Sequence, residues 1–350
     1  LVIVKIRFAA TCCHALVFWL AIAFAGSTTA RGEDTVLLRA EKPDGSKTRW
    51  TGEILDYNAK ELRLRLISGK ERIFPASEVA AVHTTLGAEQ QAGDERFAAH
   101  DYAGAFERYR AALGSQGERR DWVRRQIAAS SIDCQRARGQ FDAAAQSFVK
   151  VLLANEIDTP YLDCIPLCWR AGDHPPALER AAVTWLADSG SPFVSILGAS
   201  WLIGGPQNSA AVAKLQRLSV DRDRRVAWLA QAQLWRTTLF SATEQDLLGY
   251  MRAIEDCPPE LRAGPYFVLG AALAAKRPDD ALLCLLRVPL VYPRDRPLGA
   301  AALVAAAEIF QRQQRDEDAA RLYREVVDDY PEQPEAKVAT QRLSAGARKP

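Results

Sequence analysis

His100-Asp101-Tyr102-Ala103-Gly104-Ala105-Phe106-Glu107-Arg108-Tyr109-Arg110-Ala111-Ala112-Leu113 is the stretch on which the fold turns. Tyr102, Ala105 and Tyr109 stand three and seven positions apart, so on a helix of 3.6 residues per turn they share one face. Glu107, Arg108 and Arg110 fall away from that face. A small alanine between two aromatics lets a second, antiparallel helix come close, and the rings fill the space around it.

The same spacing returns in Gly139-Gln140-Phe141-Asp142-Ala143-Ala144-Ala145-Gln146-Ser147-Phe148, with Phe141, Ala144 and Phe148 in the three positions. A weaker copy, Gly172-Asp173-His174-Pro175-Pro176-Ala177, keeps only the glycine and alanine. Two later copies match each other: Ala281 leads to Leu285 and Tyr292-Pro293, and Ala319 leads to Tyr323 and Tyr330-Pro331. Their prolines stand where a helix pair must end.

This pattern resembles the tetratricopeptide (TPR) repeat. The resemblance implies a mainly α chain, an α-solenoid of stacked helical hairpins. It also implies a concave groove, lined by the first helix of each repeat, that takes a peptide or partner helix. The groove positions carried onto this chain are Gln126, Asp133 and Arg136 in one repeat, and Glu308 and Arg312 in the last. The spacings between copies depart from the usual period of about 34 residues, so lengthened helices or loops are expected.

Residues 191–250 follow another pattern. Asp221-Arg222-Asp223-Arg224-Arg225-Val226 precedes Ala230 and Leu234, and the spacing of four lays Val226, Ala230 and Leu234 on one helix face. This segment resembles HEAT-type repeats. Trp201, Trp228 and Trp235 are read as core rather than as a ligand-stacking set.

Residues 34–85 are expected to form a small all-β, barrel-like domain. Short strands are predicted at 35–39, 49–55, 61–67, 71–74 and 79–84. Glu61-Leu62-Arg63-Leu64-Arg65-Leu66 alternates strictly, which turns the leucines to a core and the charges to water. Turn signals separate the runs at Pro43-Asp44-Gly45, Asp56-Tyr57-Asn58 and Ser68-Gly69-Lys70. The segment is similar to SH3-like and Sm-like barrels, and it is expected to cap the first helical repeat.

The N-terminus has the order of a secretory signal peptide: Lys5 and Arg7, an 11-residue apolar run at 15–25, then small residues up to Ala30. An exported protein of the envelope or exterior is expected, with a membrane anchor as the outcome if the segment is kept. The net charge of +2 gives no general attraction for nucleic acid. The expected partners are other proteins or peptides, and the oligomeric state is left open.

Chemistry-bearing motifs are sparse. Cys164 and Cys168 stand one helical turn apart and read as small buried residues, without a second pair to complete a zinc site. Neither a phosphate loop nor a nucleophile elbow is visible. No catalytic residue, metal or cofactor is assigned. The division expected along the chain is signal peptide 1–30, β segment 34–85, TPR-like repeats 88–190, HEAT-like segment 191–250, TPR-like repeats 251–343 and a disordered tail 344–350. Two alternatives stand beside the adaptor reading. One is an enzyme or ligand-binding protein with its site between the β segment and the first helices. The other is a membrane-anchored structural component of the envelope.

Overall fold

The computed structural model describes residues 33–41, 47–114, 116–153, 161–170, 176–188 and 190–346. The signal-peptide segment, the turn at Pro43-Asp44-Gly45 and His174 lie outside the described residues.

The chain is mainly α, with a small antiparallel sheet at its N-terminal side. The strands are β1 (Asp34–Glu41), β2 (Lys47–Tyr57), β3 (Glu61–Arg65), β4 (Glu71–Pro75) and β5 (Val79–His83). Their spatial order is β4-β3-β2-β1-β5, and one turn of 3-10 helix, Ala76–Glu78, joins β4 to β5. The alternation of β3 is realised: Leu62 and Leu64 are fully buried, while Arg63 and Arg65 are exposed and pair with Glu71. Bulges in β1 and β2 bend the sheet. Gly69 turns between β3 and β4 with φ +80°.

Fourteen helices follow among the described residues: α1 (Ala88–Ala98), α2 (Tyr102–Leu113), α3 (Asp121–Ala137), α4 (Phe141–Ser147), α5 (Pro176–Ala187), α6 (Pro192–Leu202), α7 (Asn208–Leu218), α8 (Arg224–Trp235), α9 (Glu244–Asp256), α10 (Ala263–Leu273), α11 (Pro278–Val291), α12 (Arg296–Arg312), α13 (Asp316–Asp329) and α14 (Pro334–Gly346). Most pack on the helix before and the helix after them. Residues 344–346 of the expected disordered tail belong to α14.

The repeat positions are core positions. Tyr102, Ala105 and Tyr109 are buried, as are Ala144, Phe148, Ala281, Ala319 and Tyr323; Phe141 is half-buried. At that scale each large side chain contributes about 1.5–3 kcal/mol by leaving water. Tyr109 also donates to Asp94 of α1 at 2.7 Å, which ties the first hairpin together. Phe148 opens a wider, π-type continuation of α4 through Leu153.

Three hairpin turns share one geometry. The N–H of Asp101 donates to the Arg96 carbonyl, Gln140 to Gln135, and Arg315 to Phe310, each at 2.9 Å. In each, the residue before the donor is left-handed: His100 (φ 62°), Gly139 (φ 69°) and Gln314 (φ 60°). These bonds satisfy carbonyls that the helix end would otherwise orphan.

In the middle of the chain, Val226 and Ala230 are buried and Leu234 half-buried. Trp201 is buried in one apolar core with Trp228 half-buried on its flank, and Trp235 is buried in the next. Thr243 and Asp246 form a reciprocal cap at the start of α9.

Candidate functional site

Helix α3 carries most of the polar structure that joins distant parts of the chain. Arg120, just before it, reaches back to the sheet. Its guanidinium donates to the Thr84 hydroxyl at 2.6 Å and the Thr85 carbonyl at 2.8 Å, and pairs with Glu118 at 2.7 Å. The Arg120 bonds hold the Glu118 carboxyl down at about 2. Thr84 in turn donates to Asp34 of β1. One and a half turns along α3, Arg125 pairs with Asp56 and donates to the Tyr57 carbonyl at 3.1 Å, on β2.

Between these two clamps lies a cleft of about 370 Å³. Trp122 and Gln126, four apart on α3, form one wall. Residues 79–84, Leu86, Tyr57 and Tyr161 form the rest of the lining among the described residues. Trp122 is 2% exposed, and its buried indole N–H has no hydrogen-bond partner among the described residues. Burial raises the phenols of Tyr57 and Tyr161, so both remain neutral donors at ordinary pH.

Farther along α3 the expected groove residues Asp133 and Arg136 are buried and bonded within the chain. Arg136 meets Asp133 at 3.2 Å and Asp295 at 2.5 Å, and donates to the Asp163 carbonyl at 3.0 Å. Arg294 binds Asp133 at 3.1 Å and the Ser130 hydroxyl at 3.0 Å, and lies over the Phe97 ring. Burial pushes Asp133 up to about 6 against the pull of Arg294 and Arg136. Burial opposes the Arg136 charge, but Asp295 and Asp133 outweigh it and raise its pKa. The C-terminal hairpins reach the end of the same helix and a later loop: Gln333 donates to the Ala137 carbonyl at 2.5 Å, and Glu335 pairs with Arg170.

Glu308 and Arg312 line a third place, an open depression of about 440 Å³ with Gln311 and Arg342. Glu308 pairs there with Arg342 at 3.4 Å.

No protein-family model, curated protein or solved structure matches this chain.

The five expected groove residues therefore fall in three separate places, and only Gln126 faces the cleft beside the sheet. His83 lines that cleft too. His100 is exposed in its turn and stacks on Tyr102 at 6.0 Å. All five cysteines among the described residues are buried, Cys164 and Cys168 included. No group of three or more potential metal ligands forms among the described residues. Sequence reasoning missed Trp122 and Tyr161. The usable signal for Trp122 was its place one turn before Gln126 on a helix that starts with a charged cluster.

Proposed function

We propose that this chain is an exported scaffold that binds other proteins or peptides, with the cleft between β5 and α3 as its principal site. The observation that carries this reading is the makeup of the cleft. It sets strand backbone opposite a tryptophan, an amide and two tyrosines, groups suited to grip a polypeptide with shape and hydrogen bonds.

The surrounding architecture supports it. The helical hairpins share turn geometry and a buried alanine at Ala105, Ala144 and Ala319, in keeping with a solenoid of TPR-like repeats. The strand order, with a 3-10 turn between β4 and β5, resembles SH3-like barrels. The sheet and helices α2 and α3 contribute to one apolar core, which fits a cap on the first repeats. Export rests on the order of charge, apolar run and small residues in positions 1–30. Retention of that segment would make the chain a membrane-anchored component. Among the described residues no helix is long and apolar enough to cross a membrane.

A photo-crosslinking residue at position 126 in the full chain tests this reading, with one at exposed Arg217 as control. Selective capture of protein from the native envelope at 126 is expected. Equal capture at both positions would sink it. A second reading, a small-molecule receptor, is favoured by a cleft volume within the roughly 300–1,000 Å³ of such sites. It would show as a small ligand retained by the protein and displaced by Gln126→Trp.

A further inference from the structure

Among the described residues strand β5 pairs only with β1, so one of its edges has no strand partner there. Successive side chains of a strand point to opposite faces. A cavity above or below a strand therefore touches every second residue. The cleft touches all of residues 79–84. A cleft that runs along the strand's edge, where outward N–H and C=O groups lie, accounts for this. In an antiparallel pair every second residue turns those groups away from its partner. Among the described residues none of them bonds to other backbone beyond the pairing with β1 and the link from Val79 to Ala76.

The two edges of the sheet are built differently. The outer edge, β4, carries Glu71, Arg72 and Pro75, the charges and proline that discourage strand addition. The β5 edge is Val79-Ala80-Ala81-Val82-His83, without lysine, proline or acid; its register against β1 slips at Ala80, which leaves Ala81–His83 as the regular stretch. Its small side chains permit close approach. It lies in the same cleft as Trp122 and Gln126.

We propose that β5 is a docking strand: an extended, uncharged segment of a partner protein adds to its free edge and lies against Trp122, Gln126 and Tyr161. The sheet would then run β4-β3-β2-β1-β5-ligand. The chemistry of the occupant follows from the walls. No carboxylate, ammonium or guanidinium lines the cleft among the described residues. A charge entering it would lose water and meet only His83 and neutral hydroxyl and amide groups in the lining. Backbone bonds to β5 supply affinity, and the aromatic wall selects small or apolar side chains on the facing positions. This inference rests on the scaffold reading and names the form its ligand takes.

The test uses the full chain and a displayed library of random ten-residue peptides, selected against the protein and counter-selected against Gln126→Trp. The expected binders lack charged residues and have period-two apolar positions. N-methylation of alternate backbone nitrogens in one register should weaken binding at least tenfold, and in the other register should leave it nearly unchanged. Hydrogen exchange at the amides of β5 that point away from β1 should be fast in the free protein and slow in the complex. Three results would overturn the proposal: no enrichment over the blocked variant, equal tolerance of both methylation registers, or slow exchange without peptide. The last would mean that another part of the chain covers the edge. Partner capture at position 126 together with register-blind binding would remove strand addition while leaving the scaffold reading intact.

Discussion

The guanidinium of Arg136 on α3 meets the carboxylate of Asp295 at 2.5 Å, just before α12 begins. Both side chains are buried, at 5% and 14% exposure. Removing Asp295 leaves the Arg136 guanidinium out of water with Asp133 as its remaining carboxylate among the described residues. Asp295→Ala should therefore cost about 3 kcal/mol, read as a shift of the urea midpoint. Replacing the pair together, Arg136→Met with Asp295→Leu, should recover most of that loss. If the double variant is as unstable as the single, desolvated charge is not the cause.

Two carboxyls give stability opposite slopes with pH. Burial raises Asp133 to about 6, above the ~3.9 of a free aspartate. The folded state holds that proton more tightly, so its contribution is full below about pH 4 and is lost as pH rises through 6. Glu118 is held down at about 2 by Arg120, so its contribution is present above about pH 4.5 and is lost as pH falls through 2. Urea titrations between pH 2 and 7 should show both arms. Asp133→Asn should flatten the upper arm alone, and Glu118→Gln the lower.

His100 and Gln314 hold left-handed backbone that L side chains adopt at a cost of about 1 kcal/mol. His100→Gly and Gln314→Gly should each raise stability by roughly 0.5–1 kcal/mol. Gly139→Ala, at the equivalent turn, should lower it by about 1 kcal/mol. Thermal unfolding of the three variants checks the set, and equal signs for all three would contradict a shared turn geometry.

Arg120 bonds a hydroxyl, a carbonyl and a carboxylate through one planar fork. Arg120→Ala should cost about 2 kcal/mol and speed amide exchange near Thr84. Arg120→Lys should rescue little, because a single ammonium cannot span those acceptors. Full rescue by lysine would show that charge alone holds the end of β5.

What local pattern determines was legible in the sequence. The alternation of Leu62 and Leu64 places β3, and the spacing of Tyr102, Ala105 and Tyr109 places the buried face of α2. The repeat resemblance put Asp133 and Arg136 in an open groove, whereas both are buried. It could not show that Arg294, 161 residues beyond Asp133, would sit opposite and consume them. Trp228 and Trp235 share a helix face by spacing, but only Trp235 is fully covered, because it stacks on Tyr250 at 4.4 Å. The cleft escaped notice for the same reason: β5 and α3 each look ordinary alone, and their juxtaposition depends on Arg120 and Arg125.

The dependence of α3 on late residues has a consequence for how the protein is made. Synthesis is vectorial, and Asp133 emerges 161 residues before Arg294. At about 5–20 residues per second, α3 waits on the order of ten seconds for the groups that neutralise it. Until then Asp133 and Arg136 keep their water, and that face of the helix cannot close. The first hairpins can assemble early, but the clasp around Asp133 and Arg136 sets only after residues 294–295 have been made.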